Sequence, residues 1–225
     1  MIVPMDVAHF APWSISSALC RNVELGRIEV SSGRLAIRDL YDLDRPQVTL
    51  MITPGNYRVW STELDIHAKP RTPLFRPAYL SIQLSDTPPT CLGSPDDLYT
   101  ELVPPYGISV WVDLGMILIH DAESLLSADD MEALDMNWGG AWESDRDYSE
   151  VFTSVGSKII TCKTVIEKNR CPVVASYDDS GQPVAIHVDF GVLAAAQATL
   201  RTSESRAQRW GAVAGRMFPR LFRQR

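Results

Sequence analysis

Nine short segments of this chain carry strand signals, and the first five of them are bounded by Gly, Pro, Ser or Asp. They are RIEVS (27–31), RLAIRDL (34–40), VTLMIT (48–53), YRVWSTELDI (57–66), AYLSIQLSD (78–86), ISVWVDLGMILIH (108–120), KIITCKTVI (158–166), VVASYD (173–178) and VAIHVDF (184–190). Most alternate apolar with polar residues, and a period of two places every second side chain on the same face of a sheet. Their spacing is that of hairpins, which favours antiparallel pairing. Segment 108–120 is nearly all apolar and reads as a buried central strand, or as two strands around a bend at Asp113 and Gly115.

Helix signals are fewer. Ser94-Pro95-Asp96-Asp97 has a capping hydroxyl, a first-turn proline and two acids at the positive end of a helix dipole, so a helix is expected there, ending before Pro104-Pro105. Ser127-Ala128-Asp129-Asp130-Met131 opens a second helix, with Met131, Leu134 and Trp138 on one face and Gly139-Gly140 as its stop. Residues 191–218 have helical composition broken at TSES and stopped by Pro219. The expected fold is one α+β domain over 1–200, mostly antiparallel sheet of sandwich type with a few flanking helices, followed by an Arg-rich tail over 201–225. No internal repeat or low-complexity tract interrupts it.

The most patterned stretch is PVVASYDDSGQPVAIHVDF, residues 172–190. DDSG is a natural turn, with Asp supplying local hydrogen bonds and Gly181 tolerating positive φ. In the second strand Val184, Ile186, Val188 and Phe190 share one face, and Ala185, His187 and Asp189 share the other, expected to meet solvent. An acid–base or metal-binding pair of His187 and Asp189 would need a third convergent group that the sequence does not identify. Thr53-Pro54-Gly55-Asn56 has the residue preferences of a type II turn.

The net charge of -7 is unevenly spread. Residues 201–225 hold seven arginines against Glu204 alone, a balance of +6, which leaves -13 on the rest; residues 121–150 hold ten acids against Arg146 alone, or -9. Such an acidic body repels nucleic acid and attracts basic proteins. No apolar run is long enough for a membrane-spanning helix, and MIVPMDVAHFAPW lacks the basic leader of a secretory signal, so a cytoplasmic protein is expected. Cys20, Cys91, Cys162 and Cys171 form no C-x-x-C pair and are expected to be reduced and mostly buried; only if 158–166 and 171–177 paired as a hairpin would Cys162 face Cys171.

No G-x-S-x-G, P-loop, Rossmann fingerprint or H-E-x-x-H is present, and His9, His67, His120 and His187 lack ligand spacing; no cofactor or metal is expected. Five motifs occur in order: VSSGRLAIRDL (30–40), ITPGNYRVW (52–60), AYLSIQLSD (78–86), YGISVWVDLGMILIHD (106–121) and ASYDDSGQPVAIHVDF (175–190). Their succession resembles the bacterial family catalogued as domain of unknown function 4241, over residues 25–193. The matching positions are Ser32, Gly33, Asp39, Pro54, Gly55, Tyr57, Val59, Asp113, Gly115, Asp121, Gly181, Asp189 and Phe190. Where that family carries a Gly/Asp-rich loop before the last hairpin, this chain has TVIEKNRCPV (164–173). The resemblance implies a shared fold and transfers no activity.

Three functions follow as expectations. The first is a non-enzymatic protein-binding module, most concretely a bacterial immunity protein that neutralises a basic toxin. Its acidic face would be Asp129, Asp130, Asp135, Asp145 and Asp147 interleaved with Trp138, Trp142 and Tyr148. The second is an enzyme using a carboxylate cluster of Asp113, Asp121 and Asp189, although Asp121 also suits a cap and Asp113 a turn. The third is a peripheral membrane or scaffold protein acting through Arg206, Arg209, Trp210, Arg216 and Arg220 of the tail, where Gly211, Gly215 and Pro219 weaken the helix.

Overall fold

A computed structural model describes residues 20–42, 46–65, 74–124, 127, 129–130, 132, 134, 147–154, 156–164 and 168–192. Twelve strands run in chain order: β1 (Cys20–Val30), β2 (Arg34–Asp39), β3 (Val48–Met51), β4 (Gly55–Asp65), β5 (Phe75–Gln83), β6 (Cys91–Gly93), β7 (Ser109–Val112), β8 (Met116–Asp121), β9 (Tyr148–Phe152), β10 (Lys158–Lys163), β11 (Asn169–Tyr177) and β12 (Pro183–Asp189). They make two antiparallel sheets. The larger has the order β1-β4-β5-β12-β11-β6, with β7 also on β11, and the smaller has the order β3-β2-β8-β10-β9. The chain divides into Met1–Phe190 and Gly191–Arg225, and both sheets belong to the first unit.

The bend reading of 108–120 holds: Asp113, Leu114 and Gly115 separate β7 from β8, and Gly115 takes φ 76°. β8 is the hub of the smaller sheet, paired with β2 on one side and β10 on the other, and each of its six residues is buried. Met116 and Leu118 lie in a cluster with Leu40, Leu134, Val151 and Ile159, where each aliphatic side chain contributes about 1.5–3 kcal/mol by leaving water. The larger sheet supplies β1, packed against β8, β9 and β10, and β7, packed against β2. β1 carries a bulge between Glu24 and Gly26. Gly26 has φ 139°, and a Cβ there would fall 1.6 Å from Glu150 Oε1, so the bulge brings β1 against β9 at a place only glycine fills.

Two local expectations are corrected, and the cysteine expectation holds. Ser94–Asp97 opens no helix: the Leu98 amide donates to the Pro95 carbonyl, closing a single turn. Tyr99 then bridges Leu50, and the Met51 amide donates to the Leu98 carbonyl at 2.8 Å, so the edge of β3 takes this short segment as a β partner. Fewer than three helical turns fit before Pro104, too few to repay helix nucleation. Gly55 is the first residue of β4, paired with Val30, and is not at positive φ, so Thr53–Asn56 is not a type II turn. A Cβ at Gly55 would approach the Tyr57 ring to 3.1 Å, so the ring would have to give by a few tenths of an ångström, and the Tyr57 hydroxyl donates to the Thr53 carbonyl. Cys162 and Cys171 lie in different sheets as free thiols, because β10 pairs with β8 and β9 while β11 pairs with β12, β6 and β7.

The second helix signal is correct in kind. Asp129, Asp130, Glu132 and Leu134 have helical backbone, and Leu134 is fully buried; Met131, Trp138 and the glycine stop lie outside the described residues.

Candidate functional site

The three carboxylates expected as a catalytic cluster do not converge. Asp113 and Asp121 flank opposite ends of β8, whose six residues span roughly 16 Å. Asp189 closes β12 in the other sheet, and β11 separates it from β7. With Asp113 opposite Lys168 and Asp189 opposite Pro172, the ladder puts these two about 16 Å apart. No substrate atom reaches all three.

The Asp113 backbone and the Asp121 carboxylate have local roles. The Asp113 amide donates to the carboxylate of buried Asp39, which also receives the Tyr41 amide at 2.7 Å. Asp121 accepts from Ser31 Oγ at 3.1 Å, the Ser32 amide at 2.8 Å, the Glu123 amide at 3.0 Å, and the Ser32 hydroxyl. Burial pushes its pKa up, but the bonds from Ser32, Glu123 and Ser31 outweigh it and leave the carboxyl below the ordinary range.

His187 is not on a solvent face; it has no exposed surface. Nδ1 lies 2.8 Å from Ser81 Oγ on β5, and Nε2 lies 3.0 Å from Ser176 Oγ on β11. Burial holds its pKa down to about 3, so the ring is neutral. A serine, a histidine and a second serine in line resemble a relay, but Ser81, Ser176 and His187 are all sealed, which suits a core network holding three strands in register. His120 is the second buried histidine. Nδ1 lies 2.8 Å from the Asp121 carbonyl and Nε2 has no partner. Burial brings its pKa to about 4, with the Arg38 charge adding to the fall.

Of the acidic face, Asp135, Trp138, Trp142 and Asp145 lie outside the described residues, as do Arg206, Arg209, Trp210, Arg216 and Arg220 of the tail. The rest divide. Asp129 is exposed. Asp130 is only 4% exposed and has its oxygens occupied: Ser127 Oγ at 2.7 Å, the Ser127 amide at 2.8 Å and the Ser154 amide at 2.5 Å donate to it. These serine contacts, the Ser127 hydroxyl foremost, hold its pKa down to about 2. Asp130 is therefore a cap that ties the helical segment to the β9–β10 turn, not an outward acid. Asp130→Ala is expected to lower the melting temperature by several degrees and Asp129→Ala to leave it unchanged; equal melting of the two variants would contradict this division. Asp147 pairs with Arg76 of β5 at 3.3 Å, its side chain 16% exposed, and Tyr148 is half-buried.

Glu123, Asp129 and Glu132 of the 121–150 stretch are exposed, and a second set of accessible acids lies elsewhere. Asp86, Asp96, Asp97, Glu101 and Asp179 are exposed and Asp178 is half-buried. None of them is in an ion pair with a described residue. Tyr177, just before the 178–181 turn, joins the two groups by donating to the Ser94 carbonyl and to Asp97 Oδ1, both at 2.9 Å. Burial and the Asp97 carboxylate keep that phenol from ionising. A sequence signal was available for this surface: no Lys or Arg occurs between Arg76 and Arg146. Beside the acids lies a groove of about 460 Å³ lined by Met51, Ile52, Thr53, Tyr57, Leu84, Leu98, Gln182 and Pro183.

Among the described residues, no three His, Cys, Asp or Glu side chains are placed to hold a metal ion, and no helix is long and apolar enough to cross a membrane. Compared with family models, curated proteins and solved structures, the chain matches none, and the functional reading rests on its own residues.

Proposed function

We propose that this chain is a non-enzymatic protein-binding module that takes a basic partner on an acidic surface, in its most concrete form an immunity protein that blocks the basic cleft of a cognate toxin. The observation that supports this reading is the group of accessible carboxylates at Asp86, Asp96, Asp97, Glu101, Asp178 and Asp179, held without basic neighbours in sequence and without ion pairs among the described residues. Carboxylates gathered in this way repel one another and set up a negative potential, which a cationic partner relieves on contact. Among the described residues, His187, Asp121 and Asp130 are buried and committed to internal bonds, whereas the carboxylates of this group remain accessible to a partner.

The test is capture of partners by the tagged full chain from its own cells, at about 50 mM and about 300 mM salt, where screening lengths differ roughly twofold. The expected result is a stoichiometric basic protein that is lost at the higher salt and lost when Asp86, Asp96 and Asp179 are replaced by Lys, with association slowed at least about tenfold. Capture that ignores both salt and charge reversal would sink the proposal.

A further inference from the structure

Resting on the binding reading above, we infer that the groove between Met51 and Leu98 receives one apolar side chain of the partner, presented on an extended segment with Arg or Lys on both sides. Six of the eight lining residues, Met51, Ile52, Tyr57, Leu84, Leu98 and Pro183, carry apolar or aromatic side chains, although the surface open inside the groove is as much polar as apolar. Met51 leaves 43% of its surface in water, a cost that an apolar occupant removes.

The walls are already fixed. The Met51 amide donates to the Leu98 carbonyl at 2.8 Å, the Ile52 amide to the Gly33 carbonyl at 2.9 Å, and the Leu84 amide to the Val184 carbonyl at 2.8 Å. The Tyr57 hydroxyl closes onto the Thr53 carbonyl. A preformed groove needs little ordering when it is filled.

Charge then selects the occupant. Asp86 follows Leu84 by two residues, Asp96 and Asp97 immediately precede Leu98, and Asp178 and Asp179 stand just before Gln182. Three of the segments that build the groove therefore carry acids beside a lining residue. An acidic ligand is repelled, and a neutral one gains nothing from the rim. Because the acids come from three separate segments, a single ammonium meets only part of them, whereas basic residues on both sides of an apolar anchor meet more than one segment at once. That is the chemistry of a basic protein segment.

The experiment titrates the full chain into a fluorescent nonapeptide bearing one Leu between two Arg pairs, read by anisotropy. Controls are the same peptide with Ser for Leu, the peptide with Gln for Arg, and hexylamine as competitor. The Leu peptide is expected to bind, and the Ser and Gln peptides to bind at least about tenfold more weakly. Met51→Arg, at a partly exposed position that leaves the melting temperature unchanged, is expected to abolish binding. Asp96→Asn with Asp179→Asn is expected to weaken binding about tenfold and flatten its salt dependence.

Equal binding of the Leu and Ser peptides, indifference to Met51→Arg, or hexylamine competing as well as the Leu peptide itself would overturn the groove. So would the absence of binding by the Leu peptide at millimolar concentration. If the peptide binds without the groove yet is lost on charge reversal of Asp86, Asp96 and Asp179, the acidic-surface reading survives and only this inference falls. If charge reversal also leaves binding untouched, both fall.

Discussion

Acidification from about pH 7.5 to about pH 5 is expected to remove about 4 kcal/mol of unfolding free energy, about 2 from His187 and about 2 from His120. Both rings are buried and neutral in the folded chain, with pKa values of about 3 and about 4. Unfolding returns them to the ordinary histidine value near 6.5, so below that pH the unfolded chain binds protons that the folded chain refuses. Stability is complete above about 6.5 and falls as the pH drops toward the folded values, at about 1.4 kcal/mol per unit and per histidine. The groups facing His187 are the neutral hydroxyls of Ser81 and Ser176. Those facing His120 are the Asp121 carbonyl and the Asp121 charge, which favour the charged form, and Arg38, which opposes it; burial outweighs them all. Asp121 and Asp130 have depressed pKa values and lose their contribution only below the ordinary carboxylate range, so they stay silent across this window.

The measurement is urea unfolding at several pH values. His120→Met should halve the slope at the cost of the Nδ1 bond to the Asp121 carbonyl, which keeps the Ser124 amide as a donor; Nε2 has no partner to lose. A stability that is flat over this range would mean that neither ring is buried and neutral.

The contrast between His187 and the 178–181 turn explains what could be read in advance. Asp178 Oδ1 accepts from the Ser180 and Gln182 amides, each at 2.9 Å, and Gly181 takes φ 79°. All of this chemistry is local, so four residues of sequence suffice to foresee it. The alternation in β12 likewise puts His187 and Asp189 on one face, but no local pattern says whether that face is covered. Val184 through Val188 are all buried, and the polar face closes through Ser81, which lies more than a hundred residues away in the chain.

The strands missed are those that tertiary pairing imposes. β6 is three residues long and exists because β11 offers it an edge, while β9 has only Val151 turned into the core. The Ser94 signal was a true capping pattern whose segment the edge of β3 took instead, a case of tertiary structure overriding local preference. Of the acids in 121–150, Asp130 and Asp147 are engaged with neighbouring residues, while Glu123, Asp129 and Glu132 are exposed. The acids at Asp96–Asp97 and Asp178–Asp179 are brought together across eighty residues of sequence by one phenol, Tyr177, which no charge count reveals.

Asp121→Ala is expected to destabilise the protein by about 3 kcal/mol, and this result bears directly on whether that carboxylate serves structure or chemistry. Its oxygens gather the Ser31 and Ser32 hydroxyls and the Ser32 and Glu123 amides, so one side chain fastens the β1–β2 turn to the end of the central strand. That turn passes through Gly33 at φ 72°, where an added Cβ would meet the Ile52 carbonyl at 3.0 Å, so the chain has no easy alternative path. Removal of the carboxylate leaves two backbone amides and two hydroxyls without an acceptor in a part-buried place, each costing a fraction of the penalty for a fully buried group. Asp121→Asn keeps one acceptor oxygen and is expected to cost about half as much. Ser32→Ala, combined with Asp121→Ala in a double-mutant cycle, should show a coupling of about 1 kcal/mol, because both substitutions remove the bond from the Ser32 hydroxyl. A carboxylate kept for reaction chemistry behaves in the opposite sense: its environment is strained for function, and its removal commonly leaves stability unchanged or raises it. Unchanged or increased stability of Asp121→Ala in urea unfolding would therefore reject the fastening role and return Asp121 to the list of candidate reacting groups. A loss near the expected size, with the predicted coupling to Ser32, accounts for the residue by structure alone.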